Sequence, residues 1–284
     1  MFHIARREDE QLRLHLLNGG WRVQTMEWSE PDADWTEFDI VLLKSPFDYH
    51  LRPEAFNHWL ADLHDRRIPL INPYRLLTWN EDKHYLKDIS DAGFTVIPSL
   101  FLEKDCAIDF ANLFEQYATD RLIVKPCVSG GSKNTFVVTK DDPAHRTEIA
   151  RLLESEAYIV QPFMENIRNG ESSLVFFNGK YSHSIVKKPK EGDFRVQPQY
   201  GGTIHPHIPD PKYIREAEQI LDRFARDAFY ARVDGIIIDG SFVLMELELI
   251  DPILYLEYAD AGYAHYLDGL KENVSKIHLN RQNR

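Results

Sequence analysis

Two patterns of apolar and polar positions recur along the chain. Short apolar runs read as strands, and apolar residues spaced three or four apart read as helices. Residues 8–17 place Leu12, Leu16 and Leu17 on one side of a helix that stops at Asn18-Gly19-Gly20. Phe2–Ala5, before it, reads as a very short strand, and Trp21–Trp28, after it, as another. FDIVLLK (38–44) is apolar enough for a buried strand of a parallel sheet. A helix from Pro53 to about Arg67 and the strand IPLIN (68–72) complete an alternation of strands and helices. That alternation predicts a small α/β domain over residues 1–75.

Further along, Asn80 is expected to cap a helix with Lys83 in its first turn, ended by Gly93 and followed by a strand, FTVIPS. The strands RLIVK (121–125) and TFVVT (135–139) flank a loop. A helix near 147–155 and the strand Ala157–Gln161 come next. SLVFFNGKYSHSIVKK (173–188) reads as a hairpin turned at Asn178-Gly179, a type I′ signal. Residues 214–229 form an amphipathic helix with Ala217, Ile220, Leu221, Phe224, Ala225 and Ala228 on one face, and 259–276 a closing helix.

The stretch YARVDGIIIDGSFVLMELELIDP (230–252) carries the most chemistry. Asp239-Gly240 separates two apolar runs and predicts a second hairpin. Side chains alternate along a strand, so Glu246 and Glu248 share one face while Met245, Leu247 and Leu249 share the other. A three-residue loop would pair Ile238 with Phe242 and bring Asp234 opposite Glu246. Three carboxylates on one patch repel and call for a cation or a raised pKa. Oxygen-only donors suit Mg²⁺, which takes one or two carboxylates plus nucleotide phosphates. A two-residue loop would turn Asp234 to the opposite face. On the hairpin alone, a metal site and a solvent-facing acidic strand stand level.

Composition narrows the classes. The chain has 284 residues and a formal net charge of −12, which argues against a nucleic-acid partner. Two cysteines, Cys106 and Cys127, make no disulfide framework and suit a reducing cytoplasm. The N-terminus lacks an apolar signal core, and no run approaches the ~18 apolar residues of a membrane span. A cytoplasmic protein without a membrane or nucleic-acid partner is expected.

Three loops invite a ligand. Ser129-Gly130-Gly131-Ser132-Lys133 follows the strand-end Lys125, and backbone N–H groups in such a loop can wrap phosphate oxygens. It is not a P-loop, because no Gly-Lys-Ser/Thr opens a helix after it. A Gly/Ser-rich hairpin loop would look the same. Residues 187–202, with Lys187, Lys188, Lys190, Arg195 and several glycines, suit a mobile active-site loop or an ordinary surface loop equally. Ser45–Tyr49 follows a strand, where open α/β sheets place ligands, and reads equally as a loop with an aromatic plug. His205 and His207 lack further zinc ligands and read as loop histidines.

The order of these motifs is specific where each alone is modest. Lys83, Lys125 before the Gly/Ser loop, Gln161-Pro162-Phe163, Gly170-Glu171, Gly192-Asp193-Phe194-Arg195, Gly201-Gly202 and Asp234 with Glu246-x-Glu248 together resemble the ATP-grasp superfamily over about residues 72–256. Glutathione synthetases and the glutamate ligases that modify a ribosomal protein look similar there. The family of the D-cycloserine-forming cyclo-ligase is closer, with a tryptophan-rich N-terminal domain (Trp28 and Trp35 here) and patterns like FDIVLLKSPFDY, NPYRLLTWNEDKHYL and ARVDG…ELELIDP. Glu248 stands where glutathione synthetases have asparagine, and Lys44–Tyr49 departs from the close family's Arg-x-Thr-Trp-Asp-Tyr.

The resemblance implies an α+β chain of ATP-grasp fold. A Rossmann-like α/β domain would span 1–75 and the ATP-grasp domain 76–284, with a lid subdomain at about 95–163 and a C-terminal catalytic subdomain. It implies an ATP-dependent carboxylate–amine ligase, or a cyclising one in the way of the close relative, that acts on small amino-acid-like substrates through an acyl phosphate and releases ADP and phosphate. A phosphotransferase on the same fold and a non-catalytic nucleotide-binding regulator are the alternatives. Lys83 and Lys125 would contact the ATP phosphates, with Ser129, Gly130 and Gly131 also binding ATP and the Ser129–Lys133 loop closing over it as a lid. Gln161 and Phe163 would present hinge groups to adenine, and Glu171 would hold the ribose. Asp234, Glu246 and Glu248 would bind two Mg²⁺ ions, and Lys187 and Arg195 would face the transferred phosphoryl group. The partners implied are a small carboxylate, a small amine and further copies of the chain, in a homodimer or larger homo-oligomer.

Overall fold

The computed structural model describes residues 2–282. The first part of the chain runs α1 (Phe2–Asn18), β1 (Val41–Leu42), α2 (Pro53–Asp65), β2 (Leu70–Ile71) and α3 (Tyr74–Asn80). The middle runs α4 (Tyr85–Asp91), β3 (Leu100–Leu102), α5 (Phe110–Gln116), β4 (Arg121–Pro126), β5 (Phe136–Thr139), α6 (Pro143–Leu152) and β6 (Tyr158–Pro162). The last part runs β7 (Glu171–Phe177), β8 (Lys180–Lys188), β9 (Thr203–Pro206), α7 (Pro211–Phe224), β10 (Tyr230–Ile238), β11 (Ser241–Glu248) and α8 (Gly262–Gln282).

These elements form two compact units, one of residues 1–80 with 167–284 and one of residues 81–166. The first holds a five-stranded antiparallel sheet in the order β11-β10-β7-β8-β9 and a small parallel pair, β1-β2. One apolar cluster of this unit joins Leu12 and Leu16 of α1 to Val175, Phe177 and Tyr230 of the sheet, to Phe229 just before β10, and to Tyr266 and Leu270 of α8. The second holds a four-stranded antiparallel sheet in the order β3-β6-β4-β5. It has its own core, in which Phe110, Leu113 and Phe114 of α5 and Ile149 of α6 cover Leu122, Val124, Tyr158 and Val160.

Several elements depart from the apolar pattern. Phe2–Ala5 is the first turn of α1 rather than a strand. Ala5, Glu8, Leu12 and Leu16 recur every three or four residues and all are buried. Glu8 conceals the helical period because it is a carboxylate, yet it accepts the N–H groups of Leu254 and Leu256. Trp21–Trp28 forms no strand. Its side chains serve three clusters: Trp21 and Val23 pack on the α1–α8 core, Met26 beside Trp35, and Trp28 beside Phe56. A flat strand with one buried face could not serve all three.

Asn80 caps no following helix; it ends α3, and Lys83 lies in the turn before α4. The Asn80 side chain is used by β11, donating to the Leu247 carbonyl and accepting from the Leu249 N–H. The strand expected at 94–99 begins only at Leu100, beyond Pro98, which has no N–H to give a ladder. Helix α7 ends at Phe224 instead of 229, because Ala225 leaves the helical region and the N–H groups of Phe229 and Tyr230 go to Asn72 Oδ1.

Candidate active site

The β10–β11 hairpin turns on two residues, not three. Asp239 and Gly240 both have positive φ, 48° and 77°, and Ile238 pairs with Ser241. Such a turn by itself would put Asp234 out of register with Glu246. A bulge between Asp234 and Gly235 supplies the missing residue and restores the Asp234–Glu246 pair. Gly235 permits this, since a Cβ there would lie 2.5 Å from the Phe242 ring and 2.7 Å from the Val243 carbonyl oxygen. Alternation then sets Arg232, Asp234, Glu246 and Glu248 on one face. Through β7 and β8 the same face continues to Ser173, Glu171 and Lys187.

The face is a buried charge network. Lys187 Nζ lies 2.5 Å from Glu171 Oε1 and 3.0 Å from Asp234 Oδ2. Arg232 donates to both Asp234 oxygens and to the Ile253 carbonyl, and also contacts Glu248. Two cations, Lys187 and Arg232, therefore meet four carboxylates, Glu171, Asp234, Glu246 and Glu248, a formal excess of two negative charges. Burial alone would raise the Asp234 carboxyl, but Arg232 and Lys187 outweigh it and hold that group well below the usual carboxylate range. Glu248 goes the other way. Burial first, and then Asp234, Glu246 and Asp251, push its carboxyl up to about 8 against the attraction of Arg232. Lys187 stays firmly protonated, since Asp234 and Glu171 overcome its desolvation.

The sequence singled out every charged member of this face except Arg232, which precedes Asp234 by two and so shares its side of the strand. Lys187 is buried and paired with Glu171 and Asp234. Glu171 is likewise buried and turned to Lys187, where a ribose contact was expected.

In the second unit, Lys83 is buried and its Nζ donates to the Ser129 carbonyl and hydroxyl oxygens, both at 3.1 Å. Its backbone N–H donates to the Cys127 carbonyl, so the turn before α4 is fastened to the end of β4. Lys125, half-buried on β4, pairs in register with Ile159 of β6. In the glycine loop Gly131, Ser132 and Asn134 all have positive φ, and the Lys133 and Thr135 N–H groups close tight turns on the Gly130 and Ser132 carbonyls. Gln161 Nε2 donates to Ser99 Oγ. The Phe163 N–H, a candidate hinge donor, is taken by the Arg121 carbonyl, and the Arg121 guanidinium covers the Phe163 ring at 3.9 Å.

Back in the first unit, Arg195 sits in the loop after β8. Asp193 grips its guanidinium through both carboxylate oxygens and Tyr200 lies beneath it at 3.9 Å. That contact with Arg195 lowers the Asp193 carboxyl to about 2. Gly202 allows the loop to fold back, as a Cβ there would meet the Val196 carbonyl oxygen at 2.1 Å. His205 lies on β9, exposed, with its ring against Thr203, and forms no cluster with His207. The Ser45–Tyr49 loop does carry an aromatic plug, the buried Tyr49 against Phe56. Lys44, before it, pairs with Glu8 and Asp9, and a cavity of about 1020 Å³ opens beside Lys44, Ser45, Trp28 and Trp35.

Comparison with known proteins gives matches over most of the chain. Residues 3–72 match the N-terminal domain of D-cycloserine synthetase DcsG, and residues 99–253 match the ATP-grasp domain of prokaryotic glutathione synthetase. The cycloserine biosynthesis protein DcsG of Streptomyces lavendulae is 28% identical over 90% of each chain. The crystal structure of D-cycloserine synthetase DcsG superposes with a TM-score of 0.79 and 26% identity over 93% of each chain. D-alanine–D-alanine ligase from Bacillus anthracis, solved with ATP, superposes at 0.72 and 15% identity over 98% of this chain and 94% of its own.

Proposed function

The chain belongs to the ATP-grasp family of the prokaryotic glutathione synthetase type, and from that membership we propose that it joins a small amino-acid-like carboxylate to an amine through an acyl phosphate. ATP-dependent carboxylate–amine ligation is the reaction of ATP-grasp ligases. The observation that carries the finer reading is the excess of two negative charges on the β7–β8–β10–β11 face. A face so charged, with Glu248 held up to about 8, gains from one divalent cation.

The donors fit Mg²⁺: all are oxygens, and Glu246 and Glu248 are the half-exposed pair. Asp234, with both oxygens held by Arg232, joins them by exchanging one of those contacts. A second ion would arrive with the nucleotide phosphates. Bound there, Mg²⁺ supplies charge neutralisation for phosphoryl transfer.

The chain's own groups do the rest. Lys83 Nζ exchanges Ser129 for phosphate oxygens, and Lys125 adds a second cation. The N–H groups of residues 129–131 cover the phosphates and exclude water, which would otherwise hydrolyse an acyl phosphate. Gln161 and the Phe163 carbonyl face adenine, while Glu171 reaches the ribose only by leaving Lys187. Arg195 meets the transferred phosphoryl group, and Lys187 holds Asp234 in place. A carboxylate oxygen attacks the γ-phosphorus and ADP departs. The amine nitrogen then attacks the activated carbonyl, and phosphate leaves with the C–O electron pair.

The N-terminal match to D-cycloserine synthetase favours a cyclising variant, in which amine and carboxylate belong to one molecule. Hydroxylamine trapping tests the intermediate. With Mg-ATP and the acid, but no amine, a hydroxamate should accumulate in step with ADP. A stable phosphorylated product that hydroxylamine leaves intact would instead identify a phosphotransferase.

A further inference from the structure

We propose that Asp82, His84 and Cys127 form a binding site for one zinc-type divalent cation, separate from the carboxylate face and independent of the ligase reading. One donor atom from each of the three lies within 4.8 Å of the others. The set is a thiol, an imidazole and a carboxylate, a mixture that selects a borderline-soft ion over Mg²⁺. The His84 ring stands between two carboxylates. His84 Nδ1 faces Asp82 Oδ1 at 2.6 Å, and on the far side of the ring Nε2 lies 3.2 Å from Glu103 Oε1. A ligating histidine characteristically gives its second N–H to a carboxylate, which fixes the tautomer and raises ligand basicity. Glu103 is placed for that task. Phe101 stacks on the imidazole at 4.4 Å and holds its plane. Cys127 is almost fully buried at the end of β4. Its thiol is driven up chiefly by burial, so without a cation it is no nucleophile.

Three protein ligands leave a fourth tetrahedral position open to water or a ligand. The bound ion would replace the His84–Asp82 hydrogen bond and tie the turn at 82–84 to the strand end at 127. That turn carries Lys83, and the strand end leads into the glycine loop, already joined by the Lys83 N–H bond to Cys127. Cation binding would therefore fix the spacing of Lys83 and Ser129.

Cobalt(II), a spectroscopic substitute for zinc, tests the site in the full chain. One equivalent should bind with a thiolate-to-cobalt charge-transfer absorption, and Zn²⁺ should abolish that absorption. Cys127→Ser should remove it, Cys106→Ser should keep it, and Glu103→Gln should weaken binding by about tenfold. Cys127 is buried, so His84→Asn, at a half-exposed position, serves as the second variant and should weaken Co²⁺ binding at least about tenfold. No charge-transfer absorption in the wild type, its persistence in Cys127→Ser, or undiminished affinity in His84→Asn would each overturn the site.

Discussion

On the carboxylate face, residues are held by the charges of their neighbours. Arg232 is buried and bonds Asp234, Glu248 and the Ile253 carbonyl. Arg232→Met should therefore destabilise the protein by about 3 kcal/mol, because it breaks a buried ion pair and leaves Lys187 as the remaining cation beside Asp234. Urea unfolding measures it. Glu248 gives the pH dependence. Unfolded, it loses its proton near the ordinary value of about 4.3, and folded it keeps it to about 8. Between those limits the native state binds more protons than the unfolded one. This group's contribution to stability therefore falls as pH rises from about 4.3 to about 8 and then levels. Mg²⁺, which needs the ionised group, should bind more tightly over the same interval. Melts of wild type and Glu248→Gln without Mg²⁺ should converge in slope outside that window and differ inside it. Part of this face was legible, because alternation ties Glu246 to Glu248; the place of Asp234 opposite Glu246 depends on the turn and the bulge. Arg232 obeys the same alternation, but a single arginine in a strand carries no signal of its own. The Glu8–Lys44 pair could not be seen, since 36 positions separate its members.

At the scale of elements, the hairpin shows how two departures can cancel. The turn is one residue shorter than expected and the bulge one residue longer, so the carboxylates meet as they would have across a three-residue loop. The Asp-Gly signal was plain; the bulge was not, because Gly235 between Asp234 and Ile236 looks like ordinary strand sequence. Gly235→Ala should force the Phe242 ring aside or straighten the bulge. It should lower both stability and Mg²⁺ affinity, whereas Gly240→Ala should touch stability alone; titration calorimetry beside thermal melts separates the two. The Trp21–Trp28 segment was misread because its large apolar residues answer to three separate clusters, which no local pattern encodes. For the glycine loop, hydrogen exchange at residues 129–135 should slow when Mg-ATP is added. Unchanged exchange there would remove its role as a cover.

The whole molecule combines ends of the chain that are far apart in sequence. Strand–helix alternation marks residues 1–75 as a block, but Leu12 and Leu16 share a core with Val175 and Tyr266. Asn72 makes the bond explicit: its amide donates to the Tyr230 and Leu249 carbonyls and its oxygen accepts from Phe229 and Tyr230. No helix among the described residues is long and apolar enough to cross a membrane. We expect a homodimer or larger assembly, which light scattering on the purified chain would measure. Mg-ATP at 100 times its dissociation constant should add about 2.7 kcal/mol of stability and raise the melting temperature. The decisive measurement is steady-state release of ADP and phosphate against Mg²⁺ concentration, for wild type and Glu246→Gln, with a panel of amino-acid-like acids and amines. Ligation on the carboxylate face requires ADP and phosphate in equal amounts, dependent on Mg²⁺, with turnover at least about 100-fold lower in Glu246→Gln. Wild-type turnover and wild-type Mg²⁺ dependence in that variant would contradict it.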